Sequence, residues 1–357
     1  MTQPIESKSA RIHYLDSIRG IAAMMVVVMH FIGWKWNETL QFKLANIIFN
    51  GTEAVSFFFV LSGFVLSYSY LNSSRKINFA KYSYKRILRL YPAYIINILA
   101  LFVYKYRGES ISGIVDQLTT NLPYKELLMF QKTHALYLPG WTLRIEIIYS
   151  FIIIGLILLY RRSPYLLLIP LIACYFVGPL DLRVYINHFT FGILLSALYP
   201  KIKDLSFKDS KLYPWRWPLY VTMLLLFSLV PLRKFFPAIG QVMDTLWPHG
   251  IRWAHFSGIA AFLFLIVVIL SKPLQKLFEK DLLIYLGKIS YSIYLVHWGI
   301  CIFIMDYWHV WGRYLGEGPL RFCFMFIVFI GASVLAADLM YRFVEEPFIR
   351  LSKRGWK

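Results

Sequence analysis

Apolar runs constrain this chain most. They recur from one end to the other, most of them long enough to cross a hydrocarbon layer about 30 Å thick as a helix and several near the lower limit of ~17 residues. Inside such a layer no water is available to the backbone, so a spanning run must bond its own N–H and C=O groups, which an α-helix does. A mean hydropathy of +0.56 with 58% apolar residues excludes an ordinary water-soluble globule. Short alternating segments, the mark of a membrane β-barrel, are missing from the pattern. The expectation is an all-α, polytopic integral membrane protein with ten spans: about 16–36, 52–71, 84–106, 142–160, 164–179, 183–199, 217–233, 252–271, 282–306 and 318–342. An even number puts both termini on one side. Lys and Arg are about twice as numerous in the segments on that side, which makes both termini cytoplasmic.

The same bias accounts for the formal charge of +19. No basic-aromatic nucleic-acid module accompanies it, so the expected partners are membrane lipids and not nucleic acid. Cys174, Cys301 and Cys323 all sit in apolar runs without paired spacing and read as core residues, with no disulfide or metal site. The bulky FIGWKWN after the first run offers no signal-peptide cleavage site. Between spans, the longest outer segment is 107–141, where Ile111, Ile114, Val115 and Leu118 have the spacing of a helix lying on the membrane surface. With no low-complexity linker or clear repeat, residues 1–357 read as a single membrane domain without a fused soluble one.

Several polar residues stand inside these runs. In LDSIRGIAAMMVVVMHF, Arg19 and His30 are eleven residues apart, so they share a helix face and lie roughly 16 Å apart along the axis. Ionisable groups in a span are costly and mark candidate sites. Arg86 and Arg89 form an Arg-x-x-Arg on one face where the third span leaves the cytoplasm. That arrangement suits phosphate or diphosphate, and ordinary positive-inside anchoring beside Lys81 and Lys85 also explains it. Glu146, in GWTLRIEIIYSF, lies at the outer end of the fourth span, at a depth compatible with His30. A carboxylate beside an imidazole orients it as a general base, and this pairing competes with an internal Glu146–Arg144 contact. Ser62, in FFFVLSGFVLS, is a small polar break whose simpler reading is close helix packing. In SYSIYLVHW, Tyr294 and His297 share a face, and His297 either lines a cavity or bonds a neighbouring helix. His13, His188, His249 and His309 stand at ends or loops and carry little signal.

LDSIRGIAAMMVVVMH, FFFVLSGFVLS, KRILRLYPAY, GWTLRIEIIYSF and LGKISYSIYLVHW, in that order, resemble the motifs of the membrane-bound acyltransferase 3 family over nearly the whole chain. The resemblance implies ten helices and transfer of an acyl group, usually acetyl, from acyl-CoA to a hydroxyl of a surface polysaccharide, another exported glycan or a secreted small molecule. Carried over by position, the family's Arg-x10-His pair is Arg19 and His30, its Arg-x-x-Arg is Arg86 and Arg89, and its glutamate is Glu146; His30 and Glu146 would then be catalytic, and Arg19, Arg86 and Arg89 would hold the donor. Tyr294, His297, Trp141 and Ser62 are candidates for contact with the acceptor. Acetyl-CoA made in the cytoplasm would be held by the arginines and would present its thioester near His30. His30 would then either take the acceptor's proton or accept the acyl group first. No metal is implied, and the place of action is the cytoplasmic (inner) membrane. The competing class is a transporter: a flippase for a lipid-linked sugar, or a proton-coupled carrier with His30 and Glu146 as relay.

Overall fold

The computed structural model describes residues 12–36, 49–73, 76–129, 136–174, 182, 184–209, 213–246, 253–316 and 318–355. Residues 1–11 and 356–357, at the two termini expected to be cytoplasmic, lie outside the described residues. So do 175–181 and 183, in the fifth and sixth expected spans, and His249. Helix is the only regular structure among the described residues. The principal helices are α1 (His13–Trp36), α2 (Gly51–Leu71), α3 (Phe79–Lys105), α4 (Ile111–Thr120), α5 (Gly140–Arg162), α6 (Ile186–Ile202), α7 (Arg216–Phe235), α8 (Trp253–Leu270), α9 (Lys272–Phe278), α10 (Asp281–Lys288), α11 (Ser290–Asp306), α12 (Trp308–Leu315), α13 (Pro319–Met340) and α14 (Glu346–Arg354). Five stretches among the described residues are long and apolar enough to cross a membrane: 13–33, 53–71, 79–105, 140–162 and 319–354. The number rises to seven if α8 with α9, and α10 with α11, each count as one bent span. The chain is therefore a membrane protein. Three of the ten expected spans, 164–179, 183–199 and 217–233, are not among these seven. The ninth expected span, 282–306, is interrupted at Ile289 between α10 and α11.

Two compact units make up the chain. One comprises Met1–Ala22, Ser56–Lys76 and Ile153–Lys288; the other comprises Ala23–Val55, Ile77–Ile152 and Ile289–Lys357. In the first unit, α2 and α6 touch backbone to backbone. A Cβ on Gly192 would collide with the Val60 carbonyl, and one on Gly63 with the Phe189 carbonyl. Lipid tails are as apolar as Leu, so membrane helices associate by such close packing, which glycine permits. The break in FFFVLSGFVLS is thus a helix crossing at Gly63. A second crossing pairs Gly20 with Gly287, where an added Cβ on either would strike the other segment's backbone. α9 turns away from α8 by 100°.

In the second unit the fully buried Phe31 inserts α1 among Phe322, Phe326 and Phe329 of α13, with ring centroids 5.7, 5.5 and 4.9 Å away. Tyr291 Oη donates to the Leu90 carbonyl at 2.6 Å, which ties α11 to α3. Glu126, 1% exposed, accepts from the backbone N–H groups of Leu136 and Tyr137 at 3.2 and 3.0 Å. Tyr137 Oη in turn donates to the Tyr294 carbonyl at 2.5 Å. The segment leading into α5 is therefore clamped to α11 one turn before His297. Between α13 and α14 the chain makes a single π-helical turn, Tyr341–Glu345, of the kind often found at functional sites.

The helix expected near 111–118 is α4. Ser110 Oγ caps it by accepting from Gly113 N at 3.1 Å, and Ile111 and Val115 are exposed. One cysteine departs from expectation. Cys174 and Cys301 are buried, but Cys323 on α13 is exposed. In a membrane protein an apolar run does not require burial, because its outward face is matched by lipid.

Candidate functional site

Four helices of the second unit bring the site's residues in: α1 supplies His30, α3 Arg86 and Arg89, α5 Trp141 and Glu146, and α11 Tyr294 and His297. At its centre the half-buried His30 meets the fully buried His297, with His30 Nδ1 3.0 Å from His297 Nε2. The ring centroids are 5.1 Å apart and the planes lie within 16° of each other, so the rings meet edge to edge, and Trp298 packs against His30 at 5.3 Å.

The protons in this pair follow from what each atom can do. His297 Nδ1 lies 3.2 Å from the Ile293 carbonyl, which only accepts, so in the neutral ring Nδ1 carries the hydrogen. Nε2 of the same ring is then a bare lone pair and must accept. The hydrogen between the rings therefore belongs to His30 Nδ1, which leaves His30 Nε2 as the unprotonated nitrogen. One helical carbonyl thus sets the tautomer of two rings, and the result is a basic nitrogen on His30. Chemically, that nitrogen can take a proton from a hydroxyl or attack an activated carbonyl.

The sequence leads one to expect Glu146 beside His30. The structure instead pairs Glu146 with Arg86 and gives His30 the imidazole of His297. Arg86, 7% exposed, donates from Nη2 to Glu146 Oε1 at 2.5 Å and from Nε to Ser150 Oγ at 2.6 Å. Ser150 Oγ donates on to the Glu146 carbonyl at 2.7 Å. The physical reason is charge. Where α3 faces α5 in apolar surroundings, a guanidinium matches a carboxylate far better than a neutral ring does. The internal contact of Glu146 with Arg144 is not needed to explain its place. Tyr291 lies among the charges of Glu345, Glu146 and Arg86, and Glu345 accepts from Ser292 Oγ at 2.8 Å. The π-helical turn puts Glu345 on this interior side, and it is 4% exposed.

Of the remaining candidates, Tyr294 Oη accepts from Thr142 Oγ1 at 2.7 Å and donates to the Pro139 carbonyl at 3.2 Å, joining α11 to the start of α5. Trp141, next to Thr142, and Arg89 are half-buried. Arg19 and Ser62 belong to the other unit. There Arg19 Nη1 lies 3.7 Å from Asp16 Oδ1, and Ser62 precedes the Gly63 crossing. Among the described residues, no group of three or more His, Cys, Asp or Glu could hold a metal ion.

Sequence reasoning missed other buried polar groups. Glu53, Glu126 and Glu345 are each under 5% exposed, and their signal was available: each is an acidic residue in or beside an apolar segment. His188 does not stand at a loop end with little signal. It is fully buried in α6, with Nε2 3.0 Å from Ser56 Oγ, and the first unit also buries His255, whose Nδ1 is 2.9 Å from Asn187 Nδ2.

Compared with known proteins, the chain matches the family model described as an acyltransferase domain over residues 12–338. Among relatives it is similar to O-acetyltransferase OatA of Staphylococcus aureus strain NCTC 8325, 23% identical over 379 residues, which cover 96% of this chain and 57% of that protein. The same protein of strain COL matches at the same identity and coverage. The chain thus spans little more than half the length of these curated relatives. No solved structure matches.

Proposed function

The chain belongs to the acyltransferase family whose model it matches over residues 12–338, and on that premise we propose that it transfers an acetyl group from cytoplasmic acetyl-CoA to a hydroxyl of a surface polysaccharide or other exported glycan. The observation that carries this reading is the imidazole pair, His30 Nδ1 on His297 Nε2, which leaves His30 Nε2 as the base. The acceptor hydroxyl gives its proton to Nε2 as its oxygen attacks the thioester carbonyl. The C–S bond breaks, and the coenzyme leaves as a thiol with that proton. The imidazolium formed on the way is stabilised by the hydrogen bond from His30 Nδ1 to His297, the part expected of Glu146.

Glu146 and Arg86 then act together as one neutralised pair joining α3 to α5. Arg86 already spends Nε and Nη2 inside the protein, so the coenzyme's phosphates fall to Arg89, one turn along the same helix. The name O-acetyltransferase carried by the relatives supports acetyl as the group moved. The protein works in the cytoplasmic membrane as a ten-span, multi-pass domain with both termini inside. Donor and acceptor are then supplied from opposite faces. Purified protein given radiolabelled acetyl-CoA should release the thiol and pass label to a glycan. Mass spectrometry of the surface glycan, with and without the gene, should show ester-linked acetate only with it. Label retained entirely in acetyl-CoA, together with unchanged glycan, would defeat the proposal.

A further inference from the structure

Glu53 is a buried acid that the mechanism above leaves unused and, unlike Glu126 and Glu345, it has no carboxylate hydrogen bond among the described residues. It stands in the first turn of α2, where its N–H donates to the side chain of the capping Asn50 at 3.2 Å. A glutamate three residues after the cap ordinarily reaches back to the cap's own N–H. Here it does not: Glu53 is 1% exposed, and among the described residues neither of its carboxylate oxygens has a hydrogen-bond partner. An acid left bare in apolar surroundings is costly unless something else bonds it. Its position suggests what that is. Gly51, in the same turn, packs so closely on the side chain of Met29 that a Cβ would clash there, and Met29 immediately precedes His30. The first turn of α2 therefore packs against α1 beside the proposed base, within the same unit.

We propose that Glu53 is a ligand for hydroxyl groups of the acceptor, binding the polyol so that another of its hydroxyls meets His30. The inference rests on the acyltransfer reading and adds an acceptor site to it. A carboxylate is an acceptor-only group with room for several O–H donors, which is the complement of a sugar ring's edge. A role as proton carrier is not called for, because the leaving thiolate takes back the proton that His30 removes.

The test replaces Glu53 in the full-length protein, expressed in a strain lacking the native gene. Glu53→Met keeps the volume and removes the bare polar group, while Glu53→Gln keeps one carbonyl acceptor. We expect Glu53→Met to melt at a higher temperature than wild type and to bind acetyl-CoA with the wild-type Kd. Base-labile acetate on the surface glycan should nevertheless fall at least tenfold, with Glu53→Gln intermediate. Better stability alongside lost transfer is a result that a merely structural acid cannot give. Wild-type glycan acetate in a folded Glu53→Met protein overturns the proposal, as does a lowered melting temperature with weakened acetyl-CoA binding. A wild-type protein that neither binds acetyl-CoA nor acetylates glycan overturns the acyltransfer reading itself, and this inference with it.

Discussion

The two compact units each hold two histidines in their interior helices, one unit burying both and the other leaving His30 half-buried. In one unit His188 is sealed: its ring packs on Gly258, where a Cβ would sit about 3.0 Å from ring atoms, and its hydrogen bond goes to Ser56. In the other, His30 keeps partial exposure, and its Nδ1 is directed onto a second imidazole whose own proton is set by a helical carbonyl. Burial alone does not make a histidine reactive. What matters is whether a fixed tautomer leaves a lone pair where substrate can reach it.

The sharpest way to break this contrast is His30→Ala. Transfer should fall about 10²–10⁴-fold, as expected when a positioned base is lost, while a folded protein still binds acetyl-CoA. Substantial turnover in that variant would remove the distinction between the two pairs. Next in size is Arg86→Ala, which strands the half-buried Glu146 and should cost about 3–5 kcal/mol, read as loss of monodisperse protein in detergent. Combining Arg86→Met with Glu146→Leu should recover most of that stability, because replacing both members of a buried ion pair by apolar groups is far milder than removing one. If the single variant is as stable as wild type, the pair is not structural.

A smaller effect belongs to His297→Leu. It removes one hydrogen bond to the developing imidazolium, worth about 1.5–3 kcal/mol, and should lower kcat by roughly 10- to 150-fold with little change in KM. His297→Gln should restore part of the rate, since its amide oxygen can accept from His30 Nδ1. Equal losses in both variants would mean that the ring's bulk matters and its lone pair does not. The smallest effect is expected in the sealed pair. His188→Leu should keep transfer close to the wild-type rate and alter stability by only about 1 kcal/mol, the worth of the bond to Ser56. A large loss of activity there would give the first unit a chemical role.

Much of this protein is legible in its residues alone. Apolar runs of spanning length require helices, because only internal hydrogen bonding satisfies a backbone in lipid, and the structure is helical among all its described regular elements. The motif order was also readable, and the family match bears it out. Helical periodicity correctly placed Tyr294 and His297 on one face, and their rings lie 5.6 Å apart. What periodicity cannot supply is the partner across a helix interface. His30 and Glu146 agree in depth and chemistry, yet depth ranks only positions along an axis, and it does not say which helices face each other. Packing decided that α11 meets α1 at His30 and that α3 meets α5 at Glu146, with charge sorting the pairs. It also decided that Gly63 is a crossing, that the ninth expected span breaks at Ile289, and that Cys323 faces outward. Within a helix, contacts are local and repeat with the sequence. Between helices they depend on side-chain shape and charge from distant parts of the chain, which no single run contains.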